Sequence, residues 1–200
     1  MKKLSVLRGT EQNEGRRGMF TKQAGLVRAI RGSWKSNSLK IAKIGRIVVL
    51  KGSSWRWAAD EDKMTKDVLT QIVKCTGMIP EENVQYECGK DIGNQVSMYM
   101  IEEDFLTKED MDSGSFDITD LMIGNYTVVK TYKGIVRALC FPTRLRELVD
   151  EVLENGENSG IMVNFNKDTM IFYDGMEEVC IYCESIEEYR FLLEKLAEVL

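Results

Sequence analysis

The sequence predicts an α+β protein with a mainly antiparallel sheet, helices packed on one face of it, and a basic N-terminal segment in front. From Tyr126 onwards the apolar pattern switches between strand and helix periodicity in the order β-β-α-β-β-β-α. The 200 residues, 44% of them hydrophobic, can enclose a core. No stretch reaches the roughly 18 consecutive apolar residues of a membrane-spanning helix, and no signal peptide is recognisable. We therefore expect an intracellular, cytoplasmic protein, of a host cell or a virion, without a membrane partner.

In the first half of the chain, the apolar pattern predicts two helices and several strands. The first helix covers residues 20–31, and the second begins at Asp60 and ends at Gly77. Gly, Ser and Asn residues separate the strands from one another. The strands are predicted at Leu39–Leu50, Trp55–Trp57, Val84–Cys88 and Gln95–Ile101.

The second half predicts a hairpin, a three-stranded unit and two further helices. One helix begins at Pro142 and ends at Asn155, with apolar residues at helical spacing. The last helix begins at Ser185, which forms a capping box with Glu188. The strands are predicted at Tyr126–Tyr132, Ile135–Phe141, Ile161–Phe165, Thr169–Tyr173 and Val179–Cys183.

The charged residues are distributed unevenly along the chain. Residues 1–57 contain 14 Lys and Arg residues and two acidic residues, whereas residues 58–200 contain 13 and 30. We therefore predict two parts: a basic N-terminal arm with a small helix and strand segment at 1–57, and an acidic α+β domain at 58–200. Such asymmetry favours a polyanion as partner of the basic part. The alternative is that the basic part folds against the acidic remainder, which then neutralises it.

The basic part also contains all three tryptophans of the chain. Aromatic rings among cations are typical of nucleic-acid binding, because bases stack on the rings while Lys and Arg neutralise phosphates. In a strand, Trp55 and Trp57 share one face and Arg56 lies on the other. The competing use of these indoles is to anchor a core or a protein interface. The candidate nucleic-acid-binding residues are Arg16, Arg17, Lys22, Arg28, Arg31, Trp34, Lys35, Lys40, Lys43, Arg46, Trp55, Arg56 and Trp57, of which Arg28, Arg31 and Lys35 share one helix face.

An acidic stretch at Glu102–Asp120 contains eight carboxylates and one lysine. It is typical of a solvated face, and phosphate mimicry or metal binding are its other uses. In an alternative, protein-only function, the chain is an assembly component or a phage-type inhibitor whose acidic face occupies a basic groove of a partner. A carboxylate- and Mg²⁺-dependent nuclease is the third hypothesis. The candidate partner-binding residues are Glu102, Glu103, Asp104, Glu109, Asp110 and Asp112.

The absence of histidine excludes several classes of enzyme. Neither a Ser-His-Asp nor a Cys-His catalytic site, nor a histidine-containing metal site, can be built from this chain. Cys180 and Cys183 have the spacing of zinc ligands, but they have no second pair and lie in a predicted strand. We therefore expect a binding protein with no metal and no cofactor, whose partner is a nucleic acid or a protein assembly; the oligomeric state does not follow from the sequence.

Overall fold

The computed structural model describes residues 21–97, 114–149, 159–164, 167–175 and 177–199. Within them the chain has an α+β fold whose strands all pair antiparallel, which confirms the predicted class and sheet type. None of the described helices combines the length and the apolar character needed to cross a membrane. The helices are α1 (Gln23–Lys35), α2 (Lys66–Thr76) and α3 (Arg190–Val199), with 3₁₀ turns at Glu61–Lys63, Thr143–Glu147 and Glu187–Tyr189. The strands are β1 (Leu39–Ile44), β2 (Ile47–Lys51), β3 (Trp55–Asp60), β4 (Gln85–Gly89), β5 (Gly93–Ser97), β6 (Ser115–Ile123), β7 (Tyr126–Tyr132), β8 (Val136–Pro142), β9 (Ser159–Asn164), β10 (Thr169–Asp174) and β11 (Glu177–Tyr182).

The larger of the two described sheets contains strands from both halves of the chain. Its eight strands have the order β5-β4-β1-β2-β3-β11-β10-β9. Because β3 pairs with β2 on one side and with β11 on the other, Trp57 lies opposite Val179 and Arg56 lies opposite Cys180. The division predicted between residues 57 and 58 therefore falls inside β3. The described strands of the basic part belong to the same sheet as the C-terminal third of the chain.

The smaller sheet has the order β6-β7-β8 and is connected to the larger one at both sides. Near β6, Gly114 forms a bridge with Val163 of β9. At β8, the backbone N–H of Cys140 donates to the carbonyl of Glu184 over 3.1 Å, and the N–H of Glu184 donates back over 2.8 Å. The two sheets thus enclose a common interior.

The main core fills the space between the two sheets and beneath α1 and α2. Phe116 of β6 and Phe172 of β10 meet across it edge to face, with ring centroids 5.4 Å apart. Burial of each large apolar side chain contributes about 1.5–3 kcal/mol, so this layer is the main source of stability. Fully or almost fully buried members are Leu26, Ile30, Leu50, Trp57, Ile72, Phe141, Phe172 and Ile181.

The helices do not all lie on one face of one sheet, which differs from the prediction. α1 and α2 cover the inner face of the larger sheet, whereas α3 packs on the outer face of the smaller sheet, where Leu193 contacts the cluster of Val128, Ala138 and Cys140. The reason is that the strands divide into two sheets. Each sheet has its own apolar face, and each face is covered separately.

Several predicted element boundaries also change. The strand predicted at Leu39–Leu50 is a hairpin, because Gly45 turns the chain with φ +56°. α1 continues through Gly32 to Lys35 instead of ending at residue 31. The capping box is wrong: Ser185 follows the residue that pairs with Cys140, and a 3₁₀ turn then precedes α3. The helix predicted from Pro142 is a 3₁₀ turn at Thr143–Glu147, and its remainder from residue 150 lies outside the described residues.

Candidate nucleic-acid interface

The helix α1 is fixed tightly on the body of the protein. Leu26 and Ile30 enter the core, and the N–H of Lys22 donates to the carbonyl of Leu148 over 2.8 Å. Gly25 lies against the turn Thr143–Glu147 so closely that no side chain fits between them. The position of α1 is therefore set by backbone contact with a distant part of the chain.

The opposite side of α1 presents three cations to solvent. Arg28, Arg31 and Lys35 lie within about 60° of one another around the helix axis, since 3.6 residues make one turn. All three are exposed, and α1 itself contains no acidic residue. We call these three residues the α1 cation row. The sequence predicted their shared face, and the structure places that face outward.

Two members of the α1 cation row have no counterion in the described part of the chain. Arg28 forms an ion pair with Glu147, in which the side chains are 64% and 52% exposed. Arg31 and Lys35 form no ion pair with any described residue. A surface pair such as Arg28–Glu147 contributes only about 0–1 kcal/mol, so a phosphate can displace the carboxylate. The row is thus available to an anion.

Four other predicted cations are held by acidic partners. A hydrogen bond to Glu61 raises the pKa of Lys43. The backbone N–H of Asp62 and the guanidinium of Arg46 lower the pKa of Asp60. These four cations therefore agree with the alternative in which acidic residues beyond position 57 neutralise the basic part of the chain. The pairs are Lys40 with Glu87 (2.8 Å), Lys43 with Glu61 (2.6 Å), Arg46 with Asp60 (3.1 Å) and with Asp62, and Arg56 with Glu178.

Two of the three tryptophans, Trp55 and Trp57, belong to the core, which corrects their proposed role as stacking platforms. Trp55 is 3% exposed and its Nε1–H donates to Ser33 Oγ over 3.0 Å. Trp57 is fully buried and its Nε1–H donates to Glu177 Oε1 over 3.0 Å. Trp34 is half-buried against the same core. Because neither ring of Trp55 and Trp57 presents a face to solvent, neither can stack on a base in this fold. As predicted, Trp55 and Trp57 lie on one face of β3 and Arg56 lies on the other.

Of the remaining predicted site residues, the structure describes Lys22. Lys22 is exposed at the start of α1. Arg16 and Arg17 lie outside the described residues, as do all six candidate partner-binding acids at 102–112. The inhibitor and nuclease hypotheses therefore stay predictions. Among the described residues, no three Cys, Asp or Glu side chains are grouped so as to hold a metal ion.

The cysteines of the described chain have weakly acidic thiols. Burial raises the pKa of Cys88 to about 11, and it also raises the pKa values of Cys180 and Cys183. Cys180 lies on β11, where its Sγ accepts a hydrogen bond of 3.5 Å from Nη2 of Arg56, whereas Cys183 belongs to the main core. Thiolates are the form that binds metals and attacks electrophiles, so this environment disfavours both activities.

Two residues near the α1 cation row could not be assigned to it from the sequence. Arg144 and Glu147 line a small cavity of about 60 Å³ together with Arg28. Both belong to the 3₁₀ turn, more than 100 positions along the chain from α1. Only the fold brings them beside the row, and no local pattern indicates their position.

Comparisons with known proteins give no family and a distant structural similarity. No family model matches the chain, and no curated protein matches it significantly in sequence. Among solved structures, the chain is similar to a putative DNA polymerase III beta subunit from Eubacterium rectale, with 9% sequence identity and a TM-score of 0.32. The match covers 83% of this chain and 64% of the beta-subunit chain, so this chain spans less than two thirds of the length of that protein.

Proposed function

We propose that the protein binds the phosphate backbone of a nucleic acid through the α1 cation row. The observation that supports this function is the exposed face of α1, on which Arg31 and Lys35 have no counterion among the described residues. Most other described cations of the predicted site are engaged in ion pairs. The interface is thus narrower than the one predicted from the sequence.

The dimensions of the row suit a short stretch of backbone. From Arg28 to Lys35 the helix rises about 10 Å, at about 1.5 Å per residue. One DNA strand carries a phosphate about every 3.4 Å along the axis, so the row spans about three phosphates. Contacts of this kind position a protein on nucleic acid without reading its sequence, because they reach phosphate oxygens and not base edges. Binding through such contacts is therefore expected to be sequence-independent.

Binding should weaken with salt, as measured by the anisotropy of a fluorescein-labelled duplex DNA. Three phosphate contacts correspond to a slope of about −3 for log K against log salt concentration. Arg31→Gln and Lys35→Gln should each reduce the slope by about 1 and weaken binding to every sequence alike. Lys40→Gln is the matched control, since it removes the same charge from a cation that already has Glu87 as its partner.

A gain of affinity offers a second arm of the same experiment. Glu147→Gln removes the carboxylate that competes for Arg28, and we expect binding to become about two- to fivefold tighter, which corresponds to the worth of a surface ion pair. Equal losses in Lys35→Gln and Lys40→Gln would show binding by overall charge. Absence of binding at low salt would refute the proposed function.

A further inference from the structure

β8 is an edge strand of the smaller sheet, and part of its outer edge has no backbone partner among the described residues. Its partner β7 lies on one side, and on the other side, within the described residues, only Cys140 has a backbone partner, which is Glu184. In an antiparallel pair, every second residue directs its backbone N–H and C=O to the same side. Val136 and Ala138 therefore direct theirs the same way as Cys140, and in the described chain no backbone group meets them.

This open edge borders a groove that it shares with α3. The groove encloses about 650 Å³, which is within the size range of ligand sites. Ala138 and Leu193, both almost fully buried, form its floor, Ala197 also lines it, and Val136 at its end is 41% exposed. Natural proteins usually protect an edge strand with charged residues, proline or a covering element. β8 has an arginine at position 137 and a proline at position 142, but its two open positions hold Val136 and Ala138, which carry neither charge nor a proline ring.

The charges along the groove select the kind of strand. Three carboxylates, those of Glu187, Glu194 and Glu198, line it together with two guanidiniums, that of Arg190 on α3 and that of Arg137 on β8. Arg190 is shared between Glu187 (3.7 Å) and Glu194 (3.3 Å), in pairs whose side chains are all more than 60% exposed. Exposed pairs of this kind are weak and exchange partners easily. Arg137 is held by Asp168 over 2.7 Å, and Glu198 forms another exposed pair with Lys195 over 2.8 Å, which an incoming cation can replace. Among the described residues, the groove therefore has three carboxylates against one guanidinium that is not held from outside it.

We propose that the groove between β8 and α3 binds an extended, basic segment of a partner protein, which adds to β8 as a further strand. Backbone hydrogen bonds to Val136 and Ala138 hold the segment, and alternate side chains face the groove. Lys or Arg at those alternate positions meets Glu194 and Glu198. This surface involves α3 and the smaller sheet, and it is independent of the α1 cation row.

The experiment uses a fluorescein-labelled peptide in which valine and lysine alternate, with a valine and glutamate peptide as its matched control. Val136→Pro removes an N–H that the fold does not use, and proline is tolerated at such an edge position. We expect it to weaken binding of the basic peptide about tenfold, whereas Val136→Ala, which keeps the N–H, leaves binding within about twofold. The pair Glu194→Gln and Glu198→Gln should weaken binding by a similar factor.

Glu188→Gln controls for overall charge, because that side chain does not line the groove. Equal binding of the two peptides, unchanged binding to Val136→Pro, or absence of binding would each overturn the proposal. Sedimentation of the full chain tests a second copy as the occupant. A dimer that Val136→Pro dissociates would assign the edge to self-association and would equally overturn it.

Discussion

A single methyl group added to α1 should change stability in opposite directions at two glycines. Replacing glycine by alanine inside a helix stabilises it by about 0.8–1 kcal/mol through helix propensity. At Gly32, which borders the cavity of about 60 Å³, a new Cβ would have no heavy atom within 4 Å. We therefore expect Gly32→Ala to raise the free energy of unfolding by about 0.5–1 kcal/mol.

At Gly25 the same change meets the backbone of the neighbouring turn. The Cβ would lie 1.8 Å from the carbonyl oxygen of Glu147 and 2.5 Å from its carbonyl carbon. Backbone atoms cannot rotate away as a side chain does, and overpacking costs about 1–3 kcal/mol or more. That cost exceeds the gain in propensity, so we expect Gly25→Ala to lower the free energy of unfolding by about 1–2 kcal/mol.

Urea denaturation of the full chain, followed by tryptophan fluorescence, measures both changes, since Trp55 and Trp57 are buried in the native state. Because both variants lie in α1 and make the same substitution, propensity cancels in their comparison. If Gly25→Ala proves as stable as Gly32→Ala, then α1 does not contact the turn at Thr143–Glu147 as described, and the place of Glu147 beside the α1 cation row loses its basis.

Two further predictions concern the joined halves of the chain and a surface carboxylate. A truncated chain of residues 58–200 should fail to fold, because it lacks β1, β2 and half of β3 and so exposes the edge of β11; a cooperative thermal transition of this fragment, measured by circular dichroism, would show that the acidic part is a domain in its own right. Asp60→Asn should lower the melting temperature at neutral pH and make no difference at strongly acid pH. The pKa of Asp60 is lowered in the folded state, so its carboxylate stabilises the fold above the ordinary pKa and this contribution disappears as the pH falls through the lowered value. A difference that persists at acid pH would argue against the contacts of Asp60 with Asp62 and Arg46.

Local patterns were sufficient to predict many of the elements. The strand at Tyr126–Tyr132 was predicted with its observed bounds, and β10 differs by one residue. Alternation also placed Trp55 and Trp57 on one face of β3. These features depend on the period of the side chains along a single segment, which residues close in sequence determine. β6 was missed because its exposed acidic residues, Asp117 among them, resemble a solvated stretch.

The sequence by itself thus determined the α+β class, the antiparallel sheet, the excess of cations before residue 58 and the common face of Arg28, Arg31 and Lys35. Only the tertiary structure decided which of the cations remain available. Arg56 meets Glu178, 122 positions away, and Trp57 meets Glu177, 120 positions away, because β3 and β11 are neighbours in the larger sheet. Charge counts and periodicity contain no information on such pairing. Burial and ion pairing depend on contacts between distant segments, and these contacts separate the α1 cation row from the cations that the fold neutralises.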